Sequence, residues 1–373
     1  MGGPQPIDSY AVSTHLVTGF PGFIGRRLVA ALLEREPEDS IIALVEPRMV
    51  GAAREAALEI DGGPRVEVLP GDITDPVLAL GEDRYARLAA EVDVVHHLAA
   101  IYDLAVPATV AHRINVEGTG NVLAFCRAAE RLSRLNYVST AYVAGDRTGV
   151  VYEHELDRGQ GFKNHYESTK FQAEVWVRSA ADRIPATIFR PAIVVGDSRT
   201  GETQKFDGPY YALRFISATA SHGMPVANIG RGATPFNVVP VDFIVDSLVE
   251  LGRSEEAIGE TVHLCDPEPL SSAGMFELLT DLYGAKRASY RVPPRVVTAA
   301  LRLGPVRRFY GGTPAESIRY LNHPVRYDTR RAGELLAASG LRCPRFSEYA
   351  PAMVSYFREH ELDSALAPAA TPR

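Results

Sequence analysis

Cysteine is scarce in this chain: Cys126, Cys265 and Cys343 are the three in 373 residues, far apart and odd in number. That spacing offers neither a disulfide framework nor a metal-binding cluster, so a reducing, cytoplasmic setting without a metal is expected. Positive charge is also short. Lys and Arg number 39 against 46 Asp and Glu, and the net charge of −7 argues against general nucleic-acid binding. No apolar run is long enough to span a bilayer. The first six residues, Met-Gly-Gly-Pro-Gln-Pro, lack the basic-then-apolar pattern of a signal peptide. No internal repeat is visible, and the Ala/Pro-rich stretch 361–373 is expected to be a disordered tail. What is present is apolar mass: 46% hydrophobic residues, enough to bury a large core in two lobes.

The first patterned segment is Thr18-Gly19-Phe20-Pro21-Gly22-Phe23-Ile24-Gly25, after the apolar run His15-Leu16-Val17 and before the helix-like stretch Arg26–Leu33. A strand, a Gly-rich turn and a helix in that order form the opening unit of a dinucleotide-binding fold. Gly19 permits the tight turn, Gly22 lets the backbone approach a pyrophosphate, and Gly25 lets helix and strand pack closely. The helix N-terminus then presents free N–H groups to the phosphates. Far downstream, Tyr166 and Lys170 stand four apart in Asn-His-Tyr-Glu-Ser-Thr-Lys, a spacing that puts both on one face of a helix. An ammonium beside a phenol lowers the phenol's pKa from near 10 and makes it a usable proton donor.

Between and after these two segments come Gly71-Asp72-Ile73-Thr74-Asp75, Val94-Val95-His96-His97-Leu98-Ala99-Ala100, Asn115-Val116-Glu117-Gly118-Thr119, Tyr137-Val138-Ser139-Thr140-Ala141-Tyr142-Val143 and Arg190-Pro191-Ala192-Ile193. In this order they resemble the motifs of the extended short-chain dehydrogenase/reductase family, from about Thr14 to about His360. The resemblance implies an α/β fold, a Rossmann-type doubly wound parallel sheet with a smaller, mostly helical C-terminal substrate lobe. The dinucleotide-binding lobe would take 11–196 and 236–265, and the substrate lobe 197–235 and 266–360.

The resemblance also implies roles. Tyr166 would donate a proton to the substrate oxygen, Lys170 would bind the nicotinamide ribose and acidify Tyr166, and Thr140 would bond the substrate carbonyl. Ser139 is the neighbouring alternative for that hydroxyl; Thr140 is preferred because it lies five residues before Gly145. The coenzyme would lie against Gly19, Pro21, Gly22, Phe23, Ile24 and Gly25, then Glu46, Arg48, Asp72, Ile73, Leu98, Ala99, Ala100, Asn115, Ser139, Pro191 and Ile193, besides Tyr166 and Lys170. Asp72 would accept from the adenine amine. Glu46, at the end of the second strand, suits the ribose hydroxyl of NAD and repels a 2′-phosphate. Arg48 or Arg26 could grip that phosphate instead. NADPH is the expected coenzyme, with NADH the alternative. His96 and His97 read as strand and coenzyme-wall residues.

Within the family, the segments Val138–Val143 and Gly161–Lys170 are most similar to fatty acyl-CoA reductases and to thioester reductase domains. That similarity implies reduction of an acyl thioester, on CoA or on an acyl-carrier protein, to an aldehyde or alcohol. Two rivals stand beside it: reduction or oxidation of a ketone, aldehyde, hydroxysteroid or sugar nucleotide, and a non-catalytic dinucleotide-binding sensor. Tyr102, Tyr211 and Phe215 are candidates for the substrate wall, with lobe-to-lobe core packing an equal reading for the last two. Asp207 is expected to cap the helix that carries them. From Lys286 to Arg331 the chain holds eleven Lys/Arg and two Asp/Glu, including Arg291, Arg295, Arg302, Arg307, Arg308, Arg319 and Arg326. Such a segment could steer acidic CoA or a carrier protein, rest on anionic lipid as a peripheral contact, or be a solvated face. The expected assembly is a monomer or homodimer.

Overall fold

Runs such as Ser-Ile-Ile-Ala-Leu-Val, apolar and β-branched without alternation, belong in a parallel sheet covered on both faces. A computed structural model of the chain describes residues 12–60, 63–102, 106–230, 232–310 and 323–366. Thirteen strands follow in chain order among the described residues: β1 (Thr14–Thr18), β2 (Ser40–Val45), β3 (Val66–Pro70), β4 (Val94–His97), β5 (Arg134–Val138), β6 (Gly149–Val151), β7 (Ala186–Pro191), β8 (Ile193–Val195), β9 (Val226–Ile229), β10 (Val238–Pro240), β11 (Thr261–Leu264), β12 (Arg287–Val292) and β13 (Val325–Tyr327). Seven make one all-parallel sheet in the order β11-β7-β5-β4-β1-β2-β3. The order turns between β1 and β4, and a ligand crevice opens at the C-terminal ends of strands where it does so.

The helices are α1 (Phe23–Arg35), α2 (Val50–Glu59), α3 (Glu82–Glu91), α4 (Ala108–His112), α5 (Gly118–Ala128), α6 (His165–Ser179), α7 (Tyr210–Ser221), α8 (Val241–Arg253), α9 (Ser272–Tyr283), α10 (Pro294–Leu301), α11 (Gly304–Phe309), α12 (Arg330–Leu336) and α13 (Phe346–His360). On one sheet face, α1, α2, α8 and α12 bury Leu28, Leu32, Ala53, Phe243, Leu248 and Leu336. On the other, α3, α5 and α6 bury Leu88, Phe125, Ala173 and Val177. Each fully buried Leu or Phe contributes about 1.5–3 kcal/mol of transfer free energy, so these two layers are what hold the sheet. A third core gathers α7, α9 and α13 around Phe206, Tyr210, Phe276, Met353 and Phe357.

Two local findings refine the expectations. β11 takes the edge of the main sheet, but β10 pairs with β8 outside it. The strand period of two explains the placement: Val239 enters the sheet-face core while Val238 enters the third core. At the other end, the expected tail starts later than 361. Ser364–Leu366 form a short 3-10 turn, Leu366 is buried, and its carbonyl accepts the Phe206 N–H at 2.8 Å. One apolar side chain anchors this stretch, and residues 367–373 lie outside the described residues. No helix among the described residues is long and apolar enough to cross a membrane.

Candidate active site

The Gly-rich turn leaves β1 at the point where the sheet order reverses. Gly19 has φ +89°, and a Cβ there would lie 2.8 Å from the Ala99 nitrogen and 2.9 Å from the Leu98 carbonyl carbon, beyond the end of β4. A Cβ on Gly22 or Gly25 would sit 2.7 or 2.6 Å from the Gly19 carbonyl oxygen. The turn therefore needs hydrogen at all three positions. Gly22 is the N-cap of α1 with no side-chain cap, so the first N–H groups of a 13-residue helix face the crevice. This cradle fits a dinucleotide pyrophosphate. Thr18 braces it: its hydroxyl oxygen accepts the Ala99 N–H at 3.2 Å and lies 2.8 Å from His97 Nδ1.

Across the crevice, β5 ends at Val138 and the chain turns into a 3-10 segment, Ala141–Ala144, capped by Thr140. The Thr140 oxygen accepts the Tyr142 N–H at 3.2 Å. Asn164 caps α6, accepting the Glu167 N–H at 2.9 Å, so Tyr166 and Lys170 ride the first turns of that helix. Thr140 and Tyr166 come together here, the Thr140 hydroxyl standing close enough to the Tyr166 phenol to lower its pKa. Lys170 is 2% exposed, donates to the Val138 carbonyl at 2.8 Å and lies 4.4 Å over the Tyr137 ring.

The electrostatics differ from expectation at one point. Burial pushes the Tyr166 phenol up to about 12, and the Thr140 hydroxyl draws it back in part. The ammonium is aimed at a carbonyl and a ring instead of the phenol. Burial in turn lowers Lys170 to about 7, with the Glu174 carboxylate opposing the shift. Ser139 has a different partner: its hydroxyl donates to Glu174 Oε2 at 2.6 Å, while the Thr140 hydroxyl stands by Tyr166.

Glu174 and Arg190 form the support beneath. Arg190 Nη2 donates to Glu174 Oε1 at 2.6 Å and Nε to Oε2 at 3.1 Å, both side chains being fully buried. Arg190 also donates to the Glu153 and Glu155 carbonyls at 3.3 and 2.8 Å and to His263 Nε2 at 3.2 Å. Burial and Arg190 hold His263 neutral, near 3, as that bond requires. Sequence reasoning missed this network. Its one signal was a Glu four residues past Lys170 on the same helix face.

Other candidates divide. His97 is neutral, pushed down to about 3 by burial and Lys170, and is held between Thr18 and Thr119 as a wall residue. His96 instead bonds His15 Nδ1 at 3.0 Å, and His15 in turn reaches Asp39 at 2.9 Å. Asn115 lies in a π-helical stretch, Arg113–Glu117, that runs from α4 into α5. Its amide holds both backbone groups of Ile101, at 2.8 and 3.0 Å, and the Thr169 hydroxyl at 3.0 Å, so it pins the loop after β4 to α6. Asp72 accepts the Thr74 N–H at 2.8 Å, and Ile73 packs against Gly118. Glu46 and Arg48 pair at 2.7 Å, while Arg26 is engaged by Glu59 at 2.5 Å. Pro191 ends β7 with its carbonyl 3.5 Å from the Thr140 hydroxyl, and Ile193 begins β8.

At the substrate side, Tyr102 is exposed, with Lys205 Nζ 5.4 Å over its ring. Asp207 does not cap α7 with its side chain; it pairs with Lys205 at 3.7 Å. Phe215 stacks on Tyr310 at 4.6 Å and packs near Phe276, the core-packing reading of that residue. Tyr211 is half-buried, whereas its neighbour Tyr210 is the buried anchor, its hydroxyl accepting the Gly196 N–H at 3.1 Å. In the basic segment, Arg287, Arg330 and Arg331 are ion-paired, and Arg295 and Arg302 are exposed beside exposed Tyr290, Val296 and Leu303. Arg319 lies outside the described residues.

Comparison with known proteins agrees with this geometry. The family model described as male sterility protein matches residues 17–248. The chain is 29% identical over 282 residues to a linear gramicidin synthase of Brevibacillus parabrevis, covering 71% of this chain and 5% of that protein. It is 28% identical over 285 residues to a carboxylic acid reductase of Segniliparus rugosus, covering 67% and 23%. The chain thus spans less than a quarter of either relative. Among solved structures, the terminal R domain of the myxalamid PKS-NRPS pathway superposes with a TM-score of 0.81 at 24% identity, over 96% of this chain and 94% of that one. With a switch-point cradle, a Thr140–Tyr166 hydroxyl pair and a buried Lys170, the chain belongs to the male sterility protein family of extended short-chain dehydrogenases/reductases, NAD(P)-dependent oxidoreductases.

Proposed function

We propose that the chain reduces an acyl thioester, presented on a carrier protein or on CoA, to an aldehyde. The observation that carries this reading is the hydroxyl pair of Thr140 and Tyr166 at the mouth of the coenzyme crevice. Two neighbouring hydroxyls suit a carbonyl oxygen that becomes negative as its carbon is attacked. When bound, the nicotinamide coenzyme supplies the hydride. Tyr166 gives its proton to the oxygen, Thr140 holds that oxygen in place, and Lys170 supplies positive charge behind them. The hemithioacetal then collapses, breaking the C–S bond to release aldehyde and thiol. A second round on the aldehyde would yield the alcohol.

Carrier delivery is supported by charge. A basic segment from Lys286 to Arg331, on a chain of net −7, gives an acidic carrier surface a local partner. A panel of acyl-carrier thioesters, acyl-CoAs, ketones and sugar nucleotides, read by NADPH oxidation, tests the substrate class. Thioesters are expected to turn over fastest; a sugar nucleotide or ketone turning over faster overturns it. Arg307→Glu with Arg308→Glu is expected to raise the KM for carrier-bound substrate in a salt-sensitive way and to leave a small neutral aldehyde unaffected. Equal effects on both would remove the segment from docking.

For the coenzyme, NADPH is the reading that exposed Arg48 supports, its guanidinium following the end of β2, where the adenosine ribose of a bound dinucleotide would lie. Loss of one charge-assisted contact is worth roughly 1.5–3 kcal/mol. Arg48→Ala should therefore raise the NADPH KM by on the order of tenfold or more and leave that for NADH nearly unchanged. Glu46→Ala should improve NADPH use. A parallel loss with both coenzymes would refute the phosphate clamp.

A further inference from the structure

Thr140 and Tyr166 reach one another from separate pieces of chain, the 3-10 segment Ala141–Ala144 and the first turn of α6. What holds these pieces in register is a set of cross-links between the residues that follow Thr140 and those that precede Tyr166. The Asp146 N–H donates to the Gly161 carbonyl at 2.9 Å, and the Gly161 N–H returns a bond to Asp146 Oδ1 at 2.9 Å. Gln160 Nε2 donates to the Val143 carbonyl at 2.9 Å. Gly145, at φ +60°, lets the backbones close: a Cβ there would lie 2.1 Å from the Gly161 oxygen. These links join loop to loop, and none of them reaches the helix that carries Tyr166.

Lys163 does. Its Nζ donates to the Gly145 carbonyl and stands 3.6 Å from Glu167 Oε1, while its own N–H donates to Glu167 Oε2 at 2.9 Å. Glu167 is the residue after Tyr166, with a fully buried side chain. We propose that Lys163 is a positioning residue for the reduction, clasping the Thr140 turn to the catalytic helix through the Gly145 carbonyl and Glu167. The geometry gives it two tasks. It fixes the distance between the two hydroxyls that share the carbonyl oxygen, and it neutralises a buried carboxylate beside the phenol. An unneutralised Glu167 would oppose proton release from Tyr166, since its charge already raises the phenol's pKa. The charged and titratable groups facing the clasp are Asp146 and His323 around Lys163, and Tyr142 and Tyr102 around Tyr166 and Glu167.

The test compares Lys163→Met and Lys163→Arg in the full chain with a thioester substrate. Misplacing one of two hydroxyls should lower kcat about tenfold to hundredfold in Lys163→Met. The coenzyme KM should stay near wild type, because the Gly19–Gly25 cradle is untouched. The thermal midpoint should fall in Lys163→Met and be restored in Lys163→Arg, since Glu167 is buried. Lys163→Arg keeps a charge and a donor within reach and should retain most of kcat. If Lys163→Met does not fold, Lys163→Gln, which can still donate to Gly145, is read in its place and should show an intermediate kcat. Wild-type kcat in Lys163→Met, or Lys163→Arg no better than Met, overturns the inference. It rests on the hydroxyl-pair reading above, and the two fail separately. An active Tyr166→Phe sinks that reading, whereas a dead Tyr166→Phe beside a fully active Lys163→Met sinks only the clasp.

Discussion

Tyr166→Phe is expected to lower kcat by roughly a hundredfold to ten-thousandfold, the usual worth of a positioned general acid, while coenzyme affinity stays nearly unchanged. The substitution removes one oxygen and nothing that the Gly-rich cradle uses. Thr140 keeps its backbone bonds to Tyr142 and Pro191, so the carbonyl site keeps its shape and loses its proton source. Lys170→Ala should weaken both turnover and coenzyme binding. The pH profile separates the two groups. Tyr166, pushed up to about 12, stays protonated across neutral pH, whereas Lys170 at about 7 loses its charge as pH rises through that value. The free-enzyme profile, kcat/KM, should therefore fall on its alkaline side from near neutrality. Steady-state NADPH oxidation and coenzyme fluorescence titration measure both effects. Retention of more than about a tenth of wild-type kcat in Tyr166→Phe would mean the proton comes from elsewhere.

Arg190→Met should cost stability on the scale of a broken buried ion pair, about 3–5 kcal/mol. Glu174 would keep Arg178 and Ser139 but lose the fork that neutralises it, and the Glu153 and Glu155 carbonyls and His263 would lose their donor. Adding Glu174→Leu removes the stranded charge, so the double variant should regain much of the stability. It should not regain activity, because the carboxylate that favours the charged form of Lys170 is gone. Denaturant midpoints with matched slopes read the first effect. A single variant as stable as wild type would show that the fork carries no net weight in the fold.

Much of this was legible in the residues. Parallel strands buried on both faces, a glycine turn between strand and helix, and Tyr and Lys one helical turn apart depend on local chemistry and spacing, which sequence shows directly. What was not legible depends on where a side chain points once the chain has packed. Ser139 and Thr140 are adjacent hydroxyls, and only strand alternation decides that one faces Glu174 and the other Tyr166. Lys170 shares a face with Tyr166, yet its four-carbon stem carries the ammonium to the Val138 carbonyl, a partner that helix spacing does not reveal. Tyr210 and Tyr211 are adjacent, and helix phase buries Tyr210 in the third core while Tyr211 stays half-buried. The Arg190 fork joins residues from β7, α6 and β11, separations at which periodicity has nothing to say.

Glu153 bears on how the protein is made. Its buried carboxylate accepts the N–H groups of His263 at 2.9 Å, Arg331 at 2.7 Å and Ala332 at 3.1 Å, and burial raises its pKa to about 6. Its backbone carbonyl is one of those that hold Arg190. A ribosome synthesises residue 153 long before residue 332, so during translation the carboxylate waits without the groups that satisfy it. A fragment cut at residue 248, where the family match ends, would contain the glycine turn, Thr140, Tyr166 and Lys170 and still lack all three of those donors. The side chains proposed for catalysis are made well before the segment that closes the scaffold around them.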